Sequence, residues 1–173
     1  MLKSIFCFDI LSLYDAYDNY HETCLEWIGI MISIFQAARY FVYLANKQGR
    51  YSLTPLKLQK LLYFAQGWSY VWDDKPLYDA SFVAWQYGPV NVSVYALFQK
   101  YGSNDIPASE GIETLQDKEA KDTIDAVWRD YGYRSAFELV NLTHLQMPWK
   151  KAQYLNQEIS NNDIKSYFQS TYC

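Results

Sequence analysis

The chain has 173 residues, of which half are hydrophobic and a fifth are charged, and this is the balance of a soluble globular protein of one domain. Six Trp, seventeen Tyr and nine Phe with a net charge of −4 exclude an intrinsically disordered chain. No stretch is apolar for long enough to predict a transmembrane helix, so we expect no membrane partner.

The first thirty residues differ from the rest of the chain. Residues 1–30 hold one Lys against five acidic side chains, whereas residues 31–173 hold fourteen basic and fourteen acidic ones. Asp9 interrupts the first apolar run, so we expect no secretory signal peptide. Two interpretations stay open for this N-terminal extension. It is a short amphipathic helix that docks on the body or on a partner, or it comes from an upstream start in a protein that naturally begins at Met31.

A capped helix opens the body. Ser33 and Gln36 have the spacing of a capping box, in which each side chain accepts a hydrogen bond from the other residue's main chain. Apolar residues then recur on one face, and Gly49 can adopt the left-handed conformation that ends many helices. The pattern predicts a first helix over 34–48.

The second helix has the strongest signal in the chain. Thr54 is a good N-cap and Pro55 suits the first helical position, so the apolar spacing that follows predicts a helix over 55–72. Because some polar residues fall off the apolar stripe, we expect an exposed and mildly basic face. The residues assigned to that face are Lys57, Lys60 and Gln66.

A small β-ribbon is predicted after the turn that follows this helix. Residues 82–87 are rich in β-prone side chains and are ended by a Gly-Pro pair. We expect two strands, near 77–79 and 82–86, which must pack on the helices because two strands alone are marginally stable. The segment 90–101 then predicts a third helix ended by Gly102.

The rest of the chain predicts further helices. Their starts are marked by Asp117, by a capping box of Ser135 and Glu138, by Pro148 and by Asn162. The sequence therefore predicts a mainly α fold, a single compact helical domain of about six or seven helices with a small two-stranded β-ribbon.

The chain offers little material for catalysis, and we expect no enzyme, no cofactor and no metal. His21 and His144 are far apart, and the three cysteines have no metal-ligand spacing, which favours a reduced, cytoplasmic protein. Thr143 and His144 are adjacent in a helix and therefore face different directions, so they make a poor nucleophile–base pair. We expect His144 to cap a helix C-terminus or to donate a hydrogen bond there. The glycines form no phosphate-binding loop.

The aromatic residues point to a binding protein. Seventeen tyrosines exceed what a core of this size needs, so some of them are expected to face a partner. Most tryptophans are predicted to lie in the core. Those assigned to it are Trp68, Trp72, Trp85, Trp128 and Trp149.

Two segments together resemble a known family. They are LKLQKLLYFAQGW at 56–68 and AWQYGPV at 84–90, and weaker matches follow in order within 128–132, 135–144 and 148–152. The pattern resembles the Panacea antitoxin domain, also described as SocA-like or phage-associated. The resemblance covers roughly residues 31–170, so 31–173 is expected to form the Panacea-like domain.

The resemblance implies a cytoplasmic antitoxin, a helical scaffold that neutralises a toxin encoded by a neighbouring gene through direct, non-catalytic binding. Delivery of the bound toxin to a protease is a related mechanism. Trp85 is expected to anchor the ribbon on the helices, and Tyr87 to be exposed at the turn. The candidate partner-binding residues are Lys57, Lys60, Tyr63, Trp85, Tyr87, Gly88, Pro89 and His144.

The alternative function is a nucleic-acid-binding autoregulator of a prophage or toxin–antitoxin operon. Short capped helices would permit a helix-turn-helix. The balanced charge of residues 31–173 argues against it, because duplex-binding proteins normally carry a basic surface.

Overall fold

A computed structural model describes residues 31–155 and 157–172. These residues form seven α-helices and a three-stranded antiparallel sheet, so the predicted mainly α fold is confirmed. The predictions for residues 1–30 lie outside the described residues, and the domain boundary at Met31 stays a prediction. No helix in the described part of the chain combines the length and the apolar character that crossing a bilayer requires.

The helices are α1 (Ile34–Gln48), α2 (Pro55–Trp72), α3 (Val92–Phe98), α4 (Lys118–Tyr131), α5 (Ala136–His144), α6 (Met147–Ala152) and α7 (Asn161–Tyr172). Single turns of 3-10 helix span Gln99–Tyr101, Ala108–Glu110 and Gln153–Leu155. The strands are β1 (Phe82–Trp85), β2 (Gly88–Val90) and β3 (Glu158–Ile159), and β1 lies between the other two.

Side-chain caps fix most helix starts where the sequence predicts them. The Gln36 main-chain N–H donates to Ser33 Oγ at 3.1 Å, and the Ser33 N–H donates to Gln36 Oε1 at 2.8 Å. Ser135 begins α5 with the same reciprocal exchange. The last helix starts slightly earlier than predicted, because Ser160 and not Asn162 accepts the hydrogen bonds of its first turn.

The predicted pairing of the β-ribbon is wrong. β1 pairs with β2, so that Trp85 lies opposite Gly88 and Val83 opposite Val90, while residues 77–79 form no strand. Gly88 has a φ of +93°, which favours glycine and allows the chain to reverse at once after Gln86 and Tyr87.

Two further differences follow from this tight hairpin. Pro89 lies in β2, which is an edge strand and therefore tolerates a residue without a main-chain N–H. Helix α3 begins only at Val92, because Asn91 is its N-cap and accepts from the Val94 N–H at 3.0 Å. A third strand, β3, pairs with the other side of β1 and was not predicted.

Helix α2 lies at the centre of the fold. It packs against α1, α3, α4, α5, α7 and β2, and fourteen of its eighteen residues are buried. The predicted exposed basic face is therefore wrong: Lys57 is 4% exposed, and Lys60 and Gln66 are fully buried. A helix surrounded on every side has no solvent face for its polar residues.

The tryptophans divide between core and surface. Trp128 and Trp149 are buried, as predicted. Trp72 is 46% exposed and Trp85 is only partly buried, so their assignment to the core is wrong, whereas Trp68 is partly buried and packs against the core. Trp68 and Trp72 are one helical turn apart on α2 and stack with ring centroids 5.0 Å apart.

Candidate partner-binding site

The buried lysines of α2 fasten the main chain of neighbouring segments. Lys57 Nζ donates to the carbonyl oxygens of Ser52 at 2.8 Å and Gly132 at 2.6 Å. Lys60 Nζ donates to the Pro89 carbonyl oxygen at 2.7 Å and so ties β2 to α2. The bonds to Gly132 and Pro89 are buried, so each lysine satisfies a carbonyl that water does not reach.

Two glutamines of α2 act in the same way. Gln59 accepts from the Asn91 N–H at 2.8 Å and donates to the Asn91 carbonyl at 3.3 Å. Gln66 accepts from the N–H groups of Leu77 and Tyr78 and donates to the Tyr78 carbonyl at 3.2 Å. The polar residues of segment 56–68 therefore hold irregular backbone in place.

Burial changes the proton affinity of Lys60. The side chain is fully buried, and this desolvation lowers its pKa to about 7. Burial also lowers the pKa of Lys57, an effect that Asp105 and Glu138 oppose. Above pH 7 the Lys60 amine is therefore mostly neutral, and it still donates its hydrogen bond to the Pro89 carbonyl.

The hairpin turn approaches α2 and α5 closely at Gly88. A Cβ atom at this position would lie 2.6 Å from Thr143 Oγ1 and 2.9 Å from Lys60 Nζ. Any other residue would push the hairpin outward, in addition to the strain of its positive φ. Gly88 therefore sets the position of the turn that carries Tyr87.

His144 is linked to the hairpin through Trp149. Its ring stacks on Trp149 with centroids 3.8 Å apart, and Trp149 Nε1 donates to the Trp85 carbonyl at 3.0 Å. Burial and the nearby Lys60 charge lower the pKa of His144, while a hydrogen bond with the Gln86 main chain raises it. At the end of α5 the Leu145 main-chain N–H donates to the Leu142 and Thr143 carbonyls, while the His144 ring lies against Trp149.

An apolar groove of about 520 Å³ opens between the start of α2, the hairpin turn and α3. Its lining includes Pro55, Leu56, Gln59, Trp85, Tyr87 and Tyr95. The Trp85 ring meets Tyr95 edge to face at 5.0 Å. Tyr87 is 51% exposed, as predicted, and Tyr95 is 38% exposed. Such a concave, aromatic surface is suited to bind apolar side chains.

The structure brings most predicted site residues to this region but buries many of them. Gly88 and Pro89 are buried residues of the hairpin and Lys60 lies beneath it, so among these residues only Trp85, Tyr87 and His144 keep exposed surface. Lys57 lies against Gly132, and Tyr63 lies in the aromatic core, edge to face with Phe82. Contact of these residues with a partner stays a prediction.

Only Trp85 and Tyr87 of the lining residues were among the predicted site residues, and Leu56 and Tyr95 are examples of those that the sequence did not reveal. Leu56 lies within segment 56–68, but it falls outside the apolar stripe that was used to assign the core. Tyr95 carries no signal that separates it from the other sixteen tyrosines. It faces the groove because α3 folds back over the hairpin.

The two segments that build the groove also match a family. A profile described as "Antitoxin SocA-like, Panacea domain" matches residues 58–150, more than half of the chain. The chain belongs to this family. The Panacea-domain match runs from Leu58, near the start of α2, to Lys150 in α6 and so includes the hairpin, α3 and His144.

A curated relative agrees with this assignment. The Panacea-domain chain is 33% identical over 109 residues to antitoxin SocA of Caulobacter vibrioides, and the alignment covers 56% of this chain and 58% of that protein. The chain thus spans less than two thirds of that relative's length. No solved structure matches the chain.

Proposed function

We propose that this protein is an antitoxin that neutralises a toxin encoded by a neighbouring gene by binding it directly at the groove. The observation that carries the proposal is the groove itself, where exposed aromatic side chains gather on a rigid support. Membership of the antitoxin SocA-like family and a relative named antitoxin SocA support the same function.

The groove has the chemistry of a protein-binding surface. Tyr87, Trp85 and Tyr95 offer large apolar areas with polar edges, the residue types that dominate binding energy at interfaces. The hydrogen bonds from α2 to Asn91 and Pro89 hold the hairpin and α3 in place before any partner arrives. Little conformational entropy is then lost when a partner binds.

The mechanism in this proposal is stoichiometric. The bound antitoxin covers the toxin's active surface, and no covalent step is needed. Delivery of the toxin to a protease is the alternative outcome of the same binding event. Protection of purified toxin targets by one equivalent of antitoxin, with no protease present, separates the two mechanisms.

The test is growth of cells that express the adjacent open reading frame with and without this protein. We expect growth arrest by the neighbour and rescue by the wild-type chain. Tyr87→Ala should weaken binding at least tenfold, because a central interface aromatic contributes about 2 kcal/mol or more. Tyr154→Ala is the matched control, since Tyr154 is 86% exposed and lies outside the groove.

The growth experiment can also overturn the proposal. A neighbour that is harmless, or that stays toxic in the presence of this protein, contradicts the antitoxin function. Rescue that survives both Tyr87→Ala and Trp85→Ala keeps the function but contradicts the groove as the binding site.

A further inference from the structure

The groove between α2, the hairpin turn and α3 has no charged side chain among the described residues that line it. Those residues are one proline, one leucine, one valine, one glycine, three glutamines and three aromatic residues. A charged side chain that a partner buried there would lose its hydration and gain no opposite charge. We therefore expect an uncharged segment in the groove.

The three aromatic residues of the groove carry hydrogen-bond donors without acceptors in the described part of the chain. Tyr87 and Tyr95 are exposed, and no described residue accepts a hydrogen bond from either hydroxyl. Trp85 Nε1 also has no acceptor among these residues, and it is not one of their buried unpaired atoms. A partner that covers these donors must bring acceptors, because a donor that is buried unpaired weakens binding.

A β-strand of a partner finds no place on the sheet beside the groove. β2 is the edge strand there, and its middle residue, Pro89, has no main-chain N–H. The Pro89 carbonyl oxygen already accepts from Lys60 at 2.7 Å. Asn91, just after β2, bonds to Gln59 through both its main-chain N–H and its carbonyl. The edge of β2 therefore lacks the free main-chain groups that strand addition needs.

A helix of a partner would also bring few acceptors. The main-chain carbonyls inside an α-helix already accept from N–H groups of the same helix. A polyproline II segment has no internal hydrogen bonds, so its carbonyl oxygens are free to accept. Proline also has no main-chain N–H that would need an acceptor in the groove, and aromatic-lined grooves bind such segments in other proteins.

The apolar surface continues from the groove onto α5. The Tyr87 ring meets that of Phe137 edge to face at 6.3 Å, and Phe137 is 63% exposed. The planes of these two rings are 89° apart, and those of Trp85 and Tyr95 are 74° apart. Ring faces of different orientation along one surface suit an extended segment that contacts them in turn.

We propose that the groove binds an uncharged, proline-rich segment of a partner protein in the polyproline II conformation. Carbonyl oxygens of the segment accept from Trp85, Tyr87 and Tyr95, and its proline rings pack on the aromatic faces. That the partner is the toxin rests on the proposed function. Recognition of proline does not, because it follows from the uncharged lining, the unpaired donors and the closed edge of β2.

The test is a nuclear magnetic resonance titration of the full chain with three peptides that have blocked ends. Decaproline is extended and uncharged. A variant with glutamate at every third position adds charge, and an alanine–glutamine peptide is uncharged and helical. We expect saturable shifts of the Trp85 indole N–H with decaproline, at an affinity at least tenfold above those of the other two peptides. Equal affinities, or tighter binding of the helical peptide, would overturn the proposal.

A conservative substitution tests the donors separately from the rings. Tyr87→Phe keeps the ring and removes the hydroxyl, so the affinity for decaproline should fall about three- to tenfold. Tyr133→Phe is the matched control and should leave that affinity unchanged, since Tyr133 is 54% exposed, against 51% for Tyr87, and does not line the groove. An unchanged affinity in Tyr87→Phe would contradict the hydrogen bond from this hydroxyl to the segment.

These titrations need no toxin, so their failure can be told apart from failure of the proposed function. A failed growth rescue would contradict the antitoxin function and leave the peptide affinities interpretable. If decaproline does not bind but Tyr87→Ala still abolishes rescue, the groove remains the toxin-binding site and the proline-rich segment is ruled out.

Discussion

Replacing Lys60 with methionine should remove a pH dependence of stability that the buried amine causes. Burial lowers the pKa of Lys60 from 10.5 to about 7. Between these values the unfolded chain binds a proton that the folded chain does not, so the free energy of unfolding rises with pH. The destabilisation is complete below pH 7 and is relieved as the pH approaches 10.5.

The magnitude follows from the two pKa values. The slope approaches about 1.4 kcal/mol per pH unit, so Lys60 should make the wild-type chain about 2 kcal/mol more stable at pH 9 than at pH 7. Methionine has a similar length and no titrating proton. It also lacks the donor for the Pro89 carbonyl, a loss that is the same at every pH.

The assay is urea unfolding of the wild type and of Lys60→Met at pH 7, 8 and 9. We expect the stability of the wild type relative to the variant to increase by about 2 kcal/mol over this range. Lys150→Met, at an exposed lysine, should run parallel to the wild type. Parallel curves for the wild type and Lys60→Met would refute the argument that the buried amine loses its proton.

Three further substitutions test the packing around α2. Gly67→Ala places a Cβ against the Phe168 ring and should cost about 1–3 kcal/mol in a thermal melt, with faster amide exchange in α7. Gln66→Leu leaves the N–H groups of Leu77 and Tyr78 unpaired, and we expect a loss of about 2–4 kcal/mol by urea unfolding. Trp85→Ala should cost only about 1–2 kcal/mol, because the ring is partly exposed, and a loss above 3 would place it in the core.

The helix starts could be predicted because their signals are local. Ser33, Thr54, Asp117 and Ser135 each accept a hydrogen bond from a main-chain N–H three residues later. Such a cap depends only on the residue type and its spacing from the first turn. Tertiary contacts were not needed to recognise it.

The sheet and the polar residues of α2 could not be predicted in the same way. β1 pairs with β2 because the positive φ of Gly88 allows a hairpin with only two turn residues. The positions of Lys57 and Lys60 were decided by neighbours that enclose α2 on all sides. Helical periodicity separates polar from apolar residues, but it does not show whether the polar face meets water or main-chain carbonyls.

Only part of the candidate site could be predicted, because only part of it depends on local sequence. The exposure of Tyr87 follows from its place in a turn, which is a local property. The groove depends on α3 bringing Tyr95 against Trp85, and the contact between the Trp68 and Tyr172 rings depends on α7 returning to α2. Neither approach leaves a pattern along the chain.

Polar side chains of α2 hold neighbouring segments by their main-chain atoms, and this affects how the sequence can evolve. Lys57, Lys60, Gln59 and Gln66 bind main-chain atoms, and every residue type offers the same carbonyl. Apart from Gly88 and Gly132, where a Cβ does not fit, side chains on the fastened segments can therefore be exchanged while the internal anchors stay in place. Such a framework can acquire a new binding surface, and with it a new partner, through substitutions of the exposed residues around the groove.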